Sequence, residues 1–325
     1  MIVDCHAHIV PPQLLTAIRA DKARFPSVRQ IEADGSIALS FAGGKPTRPI
    51  SKPLSDIPAR IAWMVKQGID RQVVGGWVDM FGYELPGEEG EAWSRLINEA
   101  LIAVARDEPH LVPLACVPLG DGKRAATVLK SAVKSGFSGA MIGTMPRGLG
   151  STLDDPDLDP FWQAANECGA VIHIHPSFDA GDARVNDYGL ANGLGRITDA
   201  AIAVARLLCS GHPIKYSDVK FFAPMGAAAL PFVLGRLKRN YQITPGLGDP
   251  LENLARIYTD TILHDARVLK FVVEMIGTER LMMGSDMPFP IGDLEPMKIV
   301  AEAGLKKAQA DSICGGLAAK LFRIG

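Results

Sequence analysis

Two histidines one residue apart, His6 and His8 in "VDCHAHIVPP", close an apolar lead-in near the start of the chain. Alternate residues of a strand project to the same face, so a strand ending here offers two imidazoles to one ion. The pattern recurs. "VIHIHP" ends another apolar run with His173 and His175 before Pro176, and "MMGSDMPFP" sets Asp286 at the end of a third. Imidazole nitrogens plus one carboxylate suit Zn²⁺, or another first-row divalent ion, with a position left open for water. An open position serves hydrolytic or Lewis-acid chemistry. A lone HxH fits a pair of buried, hydrogen-bonded histidines equally well. Three such strand ends together point to one shared metal site.

To bring these residues together the chain needs parallel strands whose ends converge. Apolar strands are expected at Ile2–His8, Arg71–Val78, Leu111–Val117, Gly139–Gly143, Ala170–His175, Val219–Ala223, Ile257–Thr261 and Leu281–Ser285. Helices are expected between them near Asp56–Lys66, Glu89–Asp107, Lys123–Ser135, Leu158–Glu167, Ile197–Ser210, Ala227–Asn240 and Ala266–Gly277, from apolar recurrence at three and four residues. Strands apolar on both faces, each followed by a helix, imply a parallel sheet covered by helices. Eight repeats predict a (β/α)₈ TIM barrel, whose catalytic face lies at the strand C-termini. An open doubly wound sheet is the alternative, but no Gly-rich phosphate turn follows the first strand. Residues 1–325 read as one barrel domain. The Pro/Gly-rich stretch 10–55 reads as an insertion after the first strand that caps the site, or else as a loosely ordered excursion. Extra short helices are expected from Asp293 on.

With 34 Lys and Arg against 36 Asp and Glu, the chain offers no electrostatic case for nucleic acid or an anionic membrane. No apolar run is long enough to span a bilayer. The N-terminus does not read as a signal peptide. Five cysteines, odd in number and in apolar contexts, read as reduced thiols of a cytoplasmic protein.

The sequence resembles the amidohydrolase superfamily, and within it the branch containing aminocarboxymuconate semialdehyde decarboxylase. The likeness runs through "VDCHAHIVP", "VVGGWVDMFGYE", "IHIHPSFD", "ALPFVLGRLKR", "LMMGSDMPFPIG" and "LAAKLF", nearly the whole chain. The resemblance implies that His6, His8, His175 and Asp286 hold one divalent metal, Zn²⁺ or alternatively Mn²⁺. Asp286 would also carry a proton, since a carboxylate beside water at a metal can accept one. Arg236 matches an arginine that reaches a substrate carboxylate, often in a partner subunit, and reads equally as a solvated helix charge. Arg48 and Lys45 resemble basic residues that hold substrate carboxylates, a role suited to the planar guanidinium fork. Phe81 and Tyr83 are expected to wall the pocket or to pack at the barrel rim. A homodimer is implied by the family alone.

One departure stands out. The family pattern ends the sixth strand with a histidine followed by glycines, which acts as a base toward water at the metal. Here the segment is "KFFAPMGAAALPFVLGR", and an ungapped count from Arg236 sets Met225 at that position. Methionine cannot accept a proton. His173, His264 and Tyr188 are candidates to take over the role. His110 and His212 fall at the opposite, stability face. The expected activity is nonoxidative decarboxylation of a small carboxylated, aromatic-derived or muconate-like substrate. The alternatives are hydrolysis or hydration of a similar compound, including C–C hydrolysis, and a catalytically silent ligand-binding homologue.

Overall fold

A computed structural model describes residues 1–325 except Lys22, Asp34 and residues 178–180. The end of the "IHIHPSFD" motif therefore lies outside the described residues. Eight parallel strands form the centre: β1 Val3–Ile9, β2 Arg71–Gly76, β3 Leu111–Pro113, β4 Gly139–Gly143, β5 Val171–His175, β6 Lys220–Ala223, β7 Tyr258–Asp260 and β8 Leu281–Met282. They pair as β1-β2-β3 and as β8-β7-β6-β5-β4. Two seams close the ring. Ala115 bridges Ala140 after β3, with its N–H donating to Gly139 and its carbonyl accepting from Met141. Ala7 of β1 bridges Met287 after β8, and the Cys5 N–H donates to the Met283 carbonyl at 2.8 Å. The sequence expectation of a (β/α)₈ barrel thus holds, with β3 and β8 shorter than expected.

Amphipathic helices cover the ring. Helix Gly87–Asp107 buries Trp93, Ile97, Leu101 and Val104, residues three and four apart on one face. Side-chain caps start several helices: Asp121 accepts from the Lys123 and Arg124 amides, and Asp265 accepts from the Arg267 amide. Such a cap contributes about 1 kcal/mol. The described residues of the 10–55 stretch include regular secondary structure. They form helix Pro12–Ala20 and an antiparallel hairpin of Val28–Ala33 with Ser36–Phe41. Phe25 and Phe41 anchor it edge-on to Trp93, each with ring centroids 5.5 Å away. Past Asp293, helices Pro296–Glu302, Lys307–Asp311 and Leu317–Leu321 follow.

One helix starts later than expected. The sequence pattern puts its start at Ala227, but the helix runs Leu230–Ile243. Residues 225–229 instead form a left-handed turn: Met225, Gly226, Ala227, Ala228 and Ala229 all have φ between 53° and 62°. This is backbone that suits glycine. Only Gly226 of the five residues is a glycine; the others are Met225 and three alanines.

Candidate metal centre and cleft

His6 and His8 share a face of β1, and His175 ends β5. Asp286 follows β8 in a left-handed conformation with φ 58°. One nitrogen from each of these three imidazoles and a carboxylate oxygen of Asp286 lie within 4.8 Å of one another. His6 Nε2 stands 3.2 Å from His8 Nε2, and His8 Nε2 stands 3.1 Å from Asp286 Oδ1. Asp286 Oδ1 is buried without a well-aligned hydrogen-bond donor. Lone pairs pointed at one another in a dry pocket are costly without a cation between them. The donor set therefore fits a divalent metal.

In two of the three imidazoles the second ring nitrogen is committed elsewhere, while His8 Nδ1 is buried without a hydrogen-bond partner among the described residues. His6 Nδ1 is 2.7 Å from Asp260 Oδ2, and His175 Nδ1 is 2.9 Å from the Pro176 carbonyl. A metal-ligating imidazole keeps its other N–H on such an acceptor, which fixes the tautomer and leaves Nε2 for the ion. Asp260, at the end of β7, also accepts the Met225 amide at 2.7 Å and the Ile262 amide at 3.2 Å. Gly284 makes room for this pairing: a Cβ there would lie 3.0 Å from the Asp260 Cβ and 3.1 Å from the His6 Cβ.

Titration follows the surroundings. Burial lowers His8, and lowers His175 strongly, with neighbouring histidine charges adding to the effect on His175. Burial also pulls on His6, but the bond to Asp260 and the nearby carboxylates outweigh it and raise its pKa. Burial pushes Asp286 up, yet its contact with His8 and the charges of His6, His8 and Arg196 hold it below its ordinary value.

A cleft of about 870 Å³ opens on this cluster, its wall including Asp286, Arg196, Met225, His264, Phe232 and Phe271. The other expected site residues are spread more widely. Met225 is half-buried on this wall, and His264 is exposed at it. His173 lies deeper, fully buried and stacked on Phe222 with centroids 4.0 Å apart. Arg48 pairs with Asp79 at 2.9 Å and lies over the Trp77 ring. Phe81 and Tyr83 line a separate hollow of about 240 Å³, and the Tyr83 hydroxyl accepts the Gly143 amide at 3.0 Å. Lys45 and Arg236 are exposed, and Tyr188 is 90% exposed. None of these last three lines the cleft.

Two further residues of this site carry no strong sequence signal. Arg196, at the start of helix Arg196–Cys209, is buried and lines the cleft. Asp260 has only a weak signal, an acid at the end of the predicted seventh strand. One turn after Arg196, buried Asp199 accepts from the Thr144 hydroxyl at 2.6 Å and the Ser177 amide at 2.8 Å. It thereby ties the ends of β4 and β5 to the helix that carries Arg196.

Comparison with known proteins agrees with this architecture. The chain is 26% identical over 310 residues to 2-amino-3-carboxymuconate-6-semialdehyde decarboxylase of Dictyostelium discoideum, covering 92% of this chain and 84% of that protein. It is 23% identical over 361 residues to the Caenorhabditis elegans protein of that name, covering 92% and 88%. The crystal structure of 5-carboxyvanillate decarboxylase from Sphingomonas paucimobilis superposes with a TM-score of 0.82 at 22% identity, covering 100% of this chain and 99% of that one. Dihydroxybenzoic acid decarboxylase from Polaromonas sp. JS666, solved with bound manganese and the inhibitor 2-nitroresorcinol, gives 0.76 at 18% identity, covering 99% and 97%. At these identities the structural likeness speaks for the fold alone. The profile described as Amidohydrolase matches residues 3–324. Matched from the first strand to the last helix, this chain belongs to the amidohydrolase family.

Proposed function

We propose that the protein is a metal-dependent nonoxidative decarboxylase of a small carboxylated aromatic-derived or muconate-like compound. The observation that carries the proposal is the double membership of Asp286, in the ligand cluster and in the cleft wall. His6, His8, His175 and Asp286 would hold one divalent cation. Zn²⁺ suits three imidazoles and a carboxylate, and Mn²⁺ is the alternative, as in the relative solved with manganese. A bound cation there would polarise a substrate oxygen and fix its orientation.

The chain's own groups would do the rest. Arg196 would hold a substrate carboxylate or phenolate, because a buried guanidinium offers charge-assisted hydrogen bonds to such oxygens. Arg48, paired with Asp79, would border the same substrate from the 10–55 insertion. Asp286 would carry a proton to the carbon that bears the leaving carboxylate. The C–C bond then breaks, its electron pair stays with the substrate, and carbon dioxide departs.

Hydrolysis in the same cleft would need a base to activate water, and Met225 occupies the place from which the family supplies one. In decarboxylation Asp286 would be the proton carrier, and the likeness to decarboxylases favours that reaction here. All five cysteines are free, as in a reducing, cytoplasmic compartment. Among the described residues no helix is long and apolar enough to cross a membrane. A homodimer is part of this reading, because helix Leu230–Ile243 exposes Arg236 together with Phe232, which is 84% exposed.

The test is an assay of the metal-loaded protein on carboxylated catechol-cleavage products and hydroxybenzoates in deuterated water. Release of carbon dioxide with deuterium at the former carboxylate carbon is expected. Product bearing oxygen from labelled water, with no carbon dioxide, would establish hydrolysis instead. Failure to retain metal after reconstitution would overturn the metal-enzyme reading.

A further inference from the structure

Three of the four candidate ligands, His6, His8 and Asp286, flank the seam between β8 and β1. That seam is thin: β8 is two residues long, and the β-bridge to β1 lies beyond it, at Met287. A buried carboxylate reinforces it. Asp4 is fully buried, and four donors fill its two oxygens. Oδ1 accepts the His6 amide at 3.1 Å and the Ser285 amide at 3.0 Å. Oδ2 accepts the Ser285 hydroxyl at 2.5 Å and the Gln72 side-chain amide at 2.8 Å. Gln72 Oε1 in turn accepts from Arg60 Nη1 at 2.6 Å. The same guanidinium, buried on helix Ile57–Gln67, donates from Nη2 to the His8 carbonyl at 2.5 Å.

This network touches the backbone of two ligands and the residue before the third. Ser285, held through both its amide and its hydroxyl, also accepts the Met287 amide on its Oγ at 3.1 Å. Asp286 therefore sits between two neighbours tied to the same hydroxyl, while its own amide donates to the His6 carbonyl at 2.8 Å. Its φ of 58° lies in the left-handed region, which aspartate tolerates better than most residues and which these contacts select here.

We propose that Asp4 and Ser285 are a positioning pair that holds Asp286 in its left-handed, ligand-facing conformation and thereby sets the affinity of the site for its divalent cation. Gln72 and Arg60 orient Asp4 for that role. The inference rests on the metal reading above. It adds that affinity depends on two residues that touch neither metal nor substrate.

The experiment measures Mn²⁺ affinity of the full-length metal-free protein by the paramagnetic resonance signal of free Mn²⁺. Wild type, Ser285→Ala, Asp4→Asn and the remote core variant Val128→Ala are compared. Ser285→Ala and Asp4→Asn are expected to weaken Mn²⁺ binding about ten- to a hundredfold, the usual cost of losing a group that orients a ligand. Val128→Ala should lower the denaturation midpoint and leave affinity unchanged. If Asp4→Asn does not fold, Ser285→Ala, which removes one hydroxyl, decides the matter. Wild-type affinity in the folded Ser285→Ala protein, or equal loss in Val128→Ala, would refute the positioning role. A wild-type protein that binds neither Mn²⁺ nor Zn²⁺ would instead overturn the metal reading itself.

Discussion

The left-handed turn after β6 makes a quantitative prediction. Ala229 has φ 58° and ψ 10°, is exposed, and precedes helix Leu230–Ile243 as its N-cap. An L-residue in the left-handed region costs about 1–2 kcal/mol. Glycine removes that cost but brings about 0.5–1 kcal/mol of extra backbone entropy to the unfolded chain. At an N-cap glycine is also preferred over alanine. Ala229→Gly loses little buried surface, so it should stabilise the protein by about 0.5–1 kcal/mol. Ala228 has φ 53° but is fully buried. Ala228→Gly gives up about 0.8 kcal/mol of methyl burial and should come out near neutral. Urea denaturation followed by far-UV circular dichroism separates the two: a higher midpoint at unchanged slope for Ala229→Gly, and little change for Ala228→Gly. A destabilised Ala229→Gly would show that the turn is not strained. Equal gains at both positions would show that burial of the Ala228 methyl contributes nothing.

Other expectations concern the cleft and its pH dependence. Arg196→Met should raise KM, or the Kd of a carboxylate inhibitor, by about ten- to a hundredfold, the worth of a charge-assisted hydrogen bond. Arg236→Met measured alongside tests whether that exposed arginine reaches the substrate from a second copy, and an unchanged KM there would exclude it. Met225→His, which restores the family's residue, should leave carbon dioxide release intact if Asp286 alone carries the proton; a marked gain would show that a base was limiting. In the metal-free protein, burial lowers the pKa of His8, His173 and His175 below 6.5. The unfolded chain then binds protons that the folded one refuses, so stability falls as pH drops below about 6.5, by at most about 4 kcal/mol per pH unit. His6, raised above 6.5, adds stability that is complete below that pH and is lost only as pH rises through its folded value, so it does not offset the acid loss. A urea midpoint that stays level on acidification through that range would refute this picture.

Much of this protein is written locally. Apolar runs with a period of two or of three to four residues place every barrel strand and most helices, because burial of one face drives each element on its own. HxH and GSD at strand ends likewise point to the candidate ligands, since side-chain alternation is a property of a single strand. The turn at 225–229 is one exception, as are the helix and hairpin of the 10–55 stretch. The alanines of the turn favour a helix, and the start at Leu230 reflects a tertiary constraint, visible in Asp260 holding the Met225 amide.

What only the folded chain decides is distance across the ring. Asp260 orients His6 from 254 residues away, and Ser285 grips Asp4 from 281. No local pattern encodes such pairs, because they exist only once β7 and β8 close against β1. Substrate-facing roles divide the same way. Arginine types could be picked out in the sequence, but the closed barrel buries Arg196 in the cleft wall and leaves Arg236 and Lys45 exposed. A side chain's charge is set by its own atoms, whereas its burial and partners are set by the strands that arrive beside it.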